Sequence, residues 1–393
     1  MSTVPIDYFR SIEEDLKSWR QTLHQHPELA YEEHWTSDFV ADKLKSFGYE
    51  PVRGLGGTGV VATLSNGEGP AIGLRADMDA LPITEQTNLP YASKEPGKMH
   101  ACGHDGHMTM LLAAARYFAE TRNFNGTLHF VFQPAEEGEA GADKMIADGL
   151  FEKFPMQELY GLHNWPGLTE GHFAGRVGPQ MAAFDVFEIT ISGQGAHAAM
   201  PHLGKDMLLA ASHIQTMFQS IVARTIDPQD TAVVSVTQIH GGDAWNVLPS
   251  EVVMRGCTRH FTPQVQDLIE ARMGEICQGV AKSFGIEVTL DYMRRYPSTV
   301  NTGRETGIAL DAARAVAGEQ KVSDTFAPSM ASEDFAFMLQ KRPGCYMWLG
   351  AGSTEGGCLL HSPTYRFNDE ILTTGAAWWV EVAREALSRG KAA

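Results

Sequence analysis

Long apolar runs are missing from this 393-residue chain. No stretch approaches the roughly 20 consecutive apolar residues that a membrane-spanning helix needs. Basic residues are scarce as well: 31 Lys and Arg stand against 48 Asp and Glu, a formal net charge of −17, with no basic block. Nucleic acids and anionic membrane surfaces both require concentrated Lys and Arg, so neither is an expected partner. Cysteine is sparse. Cys102, Cys257, Cys277, Cys345 and Cys358 are widely spread and odd in number, which argues against a disulfide framework. The segment Met1 to Arg20 mixes Asp, Glu, Lys and Arg and lacks the apolar centre of a secretory signal. A cytoplasmic protein is expected, with Cys102 available as a thiolate. Internal repeats and low-complexity tracts are absent too.

What is present is the composition of a globular protein, 43% hydrophobic and 20% charged, with 39 glycines to serve turns. The length is great for a single core, so two domains are expected. Residues 7 to 26 read as a helix, and a second runs from Glu33 to Phe47 with Gly48 as its stop. The near-continuous apolar run from Ala71 to Ala76 suits a central strand covered on both faces. Helix (Asp105 to Glu120), strand (Thr127 to Phe132), helix (Ala140 to Asp148) and strand (Glu158 to Leu162) follow. That alternation predicts an α/β layer with a mainly parallel sheet.

Near residue 184 the rhythm changes. Phe184 to Ile191 alternates apolar and polar residues, as a sheet with one wet face does. A β-α-β-β-α-β order then extends to residue 296, the split arrangement of ferredoxin-like α+β domains. After Pro297 the α/β style returns. The expected organisation is therefore a catalytic domain in two parts, 1–183 and 297–393, with a second domain inserted at 184–296.

The densest chemistry lies in His100-Ala101-Cys102-Gly103-His104-Asp105-Gly106-His107. Cys and His bind borderline-soft cations such as Zn²⁺, whereas carboxylates suit harder ones such as Mn²⁺. Cys102 and His104 are two apart and could share one ion from an extended loop. A buried structural Cys and an ordinary His are the commoner fates of either residue alone. His100 and His107 have less behind them; His107, one helical turn past His104, could orient a ligand or cap the helix.

Arg75-Ala76-Asp77-Met78-Asp79 falls at the carboxyl end of a predicted buried strand, where open α/β sheets place ligands. Asp79 could orient a ligand imidazole there, or the segment could be a solvated turn. Glu136-Glu137 follows another strand. Adjacent side chains diverge, so one carboxylate can hold a metal while its neighbour accepts a proton from water. An exposed acidic loop is the plainer alternative. His163 and His361 each follow a short apolar run.

These motifs, taken with His26-Pro27-Glu28-Leu29, Gly195-Ala196-His197-Ala198-Ala199-Met200-Pro201-His202, Asn246-Val247-Leu248-Pro249, Ser332-Glu333-Asp334-Phe335 and His361-Ser362-Pro363, resemble the M20 metallopeptidase family. The likeness is to its amidohydrolase branch of hippurate, N-acyl-amino-acid and auxin-conjugate hydrolases. The resemblance implies two divalent ions per subunit, Mn²⁺ or Zn²⁺ with Co²⁺ or Ni²⁺ as alternatives. Their ligands would be Cys102, His104, Glu137, His163 and His361, with Glu136 as general base and then acid and Asp79 orienting the metal site. It further implies that His197 stabilises the oxyanion in the partner subunit's site and that Asn246 and Arg259 bind the substrate's free carboxylate. The implied substrate is a small N-acyl amino acid; the inserted 184–296 segment would be a lid or dimerisation domain, and the implied assembly is a homodimer or homotetramer joined through it. A dipeptidase or aminopeptidase of the same fold, or a catalytically silent metal-dependent binding protein, would carry much of the same pattern.

Overall fold

The computed structural model describes residues 5–355 and 358–390. Its contacts divide the chain into two compact units. The larger holds the chain up to Gln180, Val300–Ala327 and the chain from Asp334 onward; the smaller holds Met181–Thr299 and Pro328–Glu333.

The larger unit is built on an eight-stranded sheet. Its spatial order is Val52–Leu55, Gly59–Asn66, Gly126–Gln133, Ala71–Asp77, Glu158–Pro166, Gly344–Gly352, Phe173–Ala174 and Val322–Ser323. The four central strands pair parallel, and antiparallel pairings flank them on both sides. Ala71–Asp77 is buried from Ile72 onward, which is what an apolar run between two covered faces requires. The helices His104–Thr121 and Leu372–Arg389 share the main core with Trp378, Trp379, Phe118 and Tyr365. Parallel strands present their carboxyl ends on one side. Asp77, Gln133 and His163 all lie at or near such ends.

The smaller unit is a four-stranded antiparallel sheet, ordered Ala232–His240, Glu251–His260, Ala183–Ser192, Glu287–Tyr296. The first strand in the chain thus lies between the third and fourth, as in ferredoxin-like folds. Ala183–Ser192 alternates buried and half-buried residues along its length. Helices Met207–Ser220 and Pro263–Phe284 contribute Ile214, Phe218, Ile269 and Met273 to the core that Phe187, Ile189 and Ile191 enter from the sheet.

Two differences from expectation have physical causes. The helix read over 7–26 is two, Ile6–Ser11 and Glu13–His24, broken at Ile12, whose φ of −118° leaves the helical range. Helix Met207–Ser220 continues into a π-helical turn, Ile221–Thr225. Edge strands of two to four residues, such as Val322–Ser323, are too short to carry a periodic signal.

Candidate metal centre

Gly103 starts the site. It is the N-cap of helix His104–Thr121 with φ 98°, a left-handed conformation favouring glycine. A Cβ there would also fall 2.2 Å from Asn164 Oδ1. This turn aims Cys102 and His104 toward the strand ends. Cys102 Sγ lies 3.4 Å from His163 Nε2. Four combinations converge, each with its candidate ligand atoms within 4.8 Å of one another: Cys102/His104/His163, Cys102/Glu137/His361, His104/Glu136/Glu137 and Asp77/His104/His107. All the residues read as metal ligands, together with Glu136, thus meet in one place.

Asp79 joins them from the end of the central strand. Its Oδ1 is 3.3 Å from His104 Nδ1, and its Oδ2 accepts the Glu137 amide at 2.9 Å. His361 is carried by a residue with φ 63° whose amide donates to Ala101 O at 2.8 Å. Its Nε2 approaches Glu137 Oε1 to 3.2 Å, and at 54% its side chain is far more exposed than the others.

Asp77 and His107 do something else. His107 Nδ1 bonds Asp77 Oδ1 at 2.6 Å, and its Nε2 accepts the Asn164 amide at 3.0 Å. Asn164 Nδ2 donates to Tyr365 at 2.7 Å. Arg75 donates to Asp77 Oδ2 (2.8 Å), to Gln133 Oε1 (2.7 Å) and to Asp334 Oδ1 (3.1 Å). His107 is therefore already engaged on both ring nitrogens. It braces the floor of the site.

The electrostatics of this cluster suit a bound cation. Burial, then the Glu137 and Glu136 carboxylates, hold the Cys102 thiol well above its ordinary range; a cation nearby would favour the thiolate instead. Burial works against charge on His104, but Asp77, Asp79 and Glu137 outweigh it and push the imidazole up to about 10. Burial, reinforced by His107, drives His163 well down, leaving the neutral imidazole that ligates metals. Both ring nitrogens of His104, Glu137 Oε1 and Asp79 Oδ1 are buried without an aligned hydrogen bond. Such orphaned polar atoms are costly. A divalent ion shared with Cys102 and His163 would satisfy His104 Nε2 and Glu137 Oε1 and leave His104 Nδ1 to face Asp79 Oδ1, so the donor set fits the metal that the sequence implied.

Some partners here had no signal in the sequence. Glu33 is fully buried; burial, then Asp79, push its carboxyl up to about 7. Asp105 follows His104 and is gripped by His24 Nδ1 at 2.9 Å and Arg20 Nη1 at 3.5 Å. Arg20 also makes a two-pronged pair with Asp369, at 2.6 and 2.9 Å. Isolated acids and bases at these spacings look like ordinary surface residues. His100 is buried with neither ring nitrogen bonded, and burial pushes it down to about 4.

The remaining candidates lie in the smaller unit. His197 and Asn246 are neighbours there: His197 pairs with Val247 in a two-stranded ladder, and Ala198 N donates to Asn246 O at 2.9 Å. Both side chains are exposed. Arg259 donates to Ser332 Oγ at 3.0 Å and lies over the Phe184 ring at 4.2 Å.

Known proteins resemble this chain along nearly its whole length. A hippurate hydrolase of Campylobacter jejuni is 42% identical over 369 residues, 94% of this chain and 95% of that protein. An N-acetyl-L-cysteine deacetylase of Bacillus subtilis is 38% identical over 379 residues, 96% and 89% of the two. The solved structure of the Bacillus subtilis YXEP protein, described as a dinuclear metal binding peptidase from the M20 family, matches with a TM-score of 0.84 at 33% identity. That match covers 96% of this chain and 99% of that one. The family pattern of Peptidase family M20/M25/M40 matches residues 73–385, and the chain belongs to that family.

Proposed function

We propose that this protein is a metal-dependent amidohydrolase that cleaves N-acyl amino acids, hippurate-like N-benzoyl or N-acetyl compounds, to a carboxylic acid and a free amino acid. The observation that carries this reading is the convergence of Cys102, His104, Glu137, His163 and His361 with Glu136 beside them. The activities named for the hippurate hydrolase and the deacetylase support it. Those five side chains would hold two divalent ions, Mn²⁺ or Zn²⁺, with Co²⁺ or Ni²⁺ as alternatives. Bound there, such ions polarise an acyl carbonyl and acidify water.

The chain's own residues do the rest. Glu136 accepts the proton of the attacking water and returns it to the leaving nitrogen. Asp79 holds the His104 ring and the Glu137 amide in register for that chemistry. His197 donates to the developing oxyanion in the partner subunit's site, a placement worth about 3 kcal/mol in the transition state. Asn246 and Arg259 bind the substrate's free carboxylate, for which a guanidinium fork is well shaped.

We also propose a homodimer or homotetramer joined through the smaller unit. In its support, Ala232–His240 is an edge strand of its sheet, and the neighbouring helix exposes Leu208, Leu209 and Met217 at 40%, 48% and 43%. An unpaired edge beside apolar side chains invites a second copy. No helix among the described residues is long and apolar enough to cross a membrane, and all five cysteines are free, which supports a cytoplasmic setting. The test is an assay of metal-reconstituted protein against N-benzoyl-glycine, N-acetyl amino acids and free-amine dipeptides. Turnover of the acylated compounds alone is expected. Turnover of the dipeptides alone, or of nothing, would refute the reading.

A further inference from the structure

Glu33 occupies the N-cap position of helix His34–Ser46, where a side chain ordinarily accepts a hydrogen bond from the first turn. It makes no such bond. Glu28 takes that duty, accepting from the amides of Trp35 (3.1 Å) and Thr36 (2.8 Å) and from the Thr36 hydroxyl (2.9 Å). Glu33, relieved of capping, turns inward and is 0% exposed. One of its oxygens accepts the Thr58 hydroxyl at 2.6 Å; the other accepts the backbone N–H of Ala135 at 2.8 Å.

Ala135 is the residue before Glu136, and its φ is 55°. A non-glycine residue holds that left-handed conformation only where its surroundings impose it. The turn is closed by Gly141 N donating to Ala135 O at 3.0 Å and Gly138 N to Glu136 O at 2.7 Å. On the far side of Glu136, Asp79 accepts the Glu137 amide at 2.9 Å. The amides immediately before and after Glu136 are thus each gripped by a buried carboxylate.

We propose that Glu33 is a positioning residue: by accepting the Ala135 N–H it holds the left-handed turn that fixes where the Glu136 carboxylate stands. The inference rests on Glu136 carrying the proton in the hydrolysis proposed above. Without Glu33 the buried amide loses its acceptor, the turn relaxes from its disfavoured φ, and Glu136 swings away from the attacking water.

Three variants of the full chain with metals restored test this. Glu33→Gln keeps a carbonyl oxygen for the Ala135 amide, Glu33→Ala removes it, and Thr58→Val removes only the other bond. Hydrogen exchange followed by mass spectrometry on a peptide spanning residues 130–140 reads the amide itself. Exchange there should quicken in Glu33→Ala and stay at the wild-type rate in the other two. For N-benzoyl-glycine, kcat should fall about 100-fold in Glu33→Ala with KM within about threefold, while Glu33→Gln and Thr58→Val stay within about fivefold of wild type. Unchanged exchange in Glu33→Ala, faster exchange with kcat intact, or an equal loss in Glu33→Gln would overturn the proposal. Where Glu33→Ala does not fold, a Glu33→Gln protein that loses about 100-fold in kcat overturns it by itself. A wild-type protein that cleaves no N-acyl amino acid defeats the functional reading instead, and the exchange measurement still decides whether Glu33 holds the turn.

Discussion

Cys102 Sγ stands 3.4 Å from His163 Nε2. One residue precedes a helix and the other lies toward the carboxyl end of a central strand, yet both can reach a single cation. Replacing Cys102 with Ser keeps the shape and removes the soft donor. Cobalt-loaded protein should show thiolate-to-cobalt charge-transfer absorption in the near ultraviolet, and Cys102→Ser should abolish it. Absorption that survives the substitution would place the thiol away from the metal.

Glu136 and Glu137 are adjacent but are given different work. Glu136→Gln should lower kcat by roughly 10² to 10⁴-fold, the range for a lost general base, while metal content measured by atomic emission stays at the wild-type value. Loss of metal together with activity would make Glu136 a ligand rather than a proton carrier.

His24 sets a pH dependence of stability. Burial opposes its charge, but hydrogen bonds to Asp105 and Glu85 outweigh that and push the imidazole up to about 9. An unfolded histidine titrates near ~6.5, so the folded form binds the proton more tightly. The stabilisation is complete below about pH 6.5 and is lost as pH rises through about 9, on the order of 3 kcal/mol in all. Urea unfolding of apo protein at about pH 6 and about pH 9.5 should show that loss in wild type and a smaller one in His24→Gln. Equal losses in both would remove His24 as the cause.

Catalysis shared between subunits, as proposed, would have its own signature. Glu136→Ala and His197→Ala proteins should each be inactive alone. After unfolding and refolding together, mixed dimers should regain activity, because one site then holds both an intact Glu136 and a partner's His197. No recovery on mixing would confine His197 to its own subunit or remove it from the chemistry.

Much of the candidate site was legible because several of its residues lie close together in the chain. Cys102 and His104 share a short loop, Glu136 and Glu137 are adjacent, and the apolar run ending at Asp77 marks a strand end where ligands gather. The alternation over 184–191 was likewise enough to read a sheet with one wet face. What could not be read depends on distant partners. Glu32 and Glu33 are neighbours of one type, yet Glu32 is exposed and Glu33 is buried; the difference is made by Thr58 and Ala135. Arg75 was visible as part of a motif, but its bond to Asp334 joins residues far apart in the chain. His107 could be read as orienting a ligand or as capping the helix, and only distant Asp77 and Asn164, bonded to its two ring nitrogens, decide between them.

The most direct measurement is anomalous X-ray diffraction from crystals of the manganese- or zinc-loaded protein. Two anomalous peaks per subunit are predicted, each within ordinary coordination distance (about 2.0–2.4 Å) of atoms from Cys102, His104, Glu137, His163 and His361. The Glu136 carboxylate should lie beside them without being a ligand. Peaks elsewhere, or crystals of fully loaded protein with no ion at these side chains, would contradict the account.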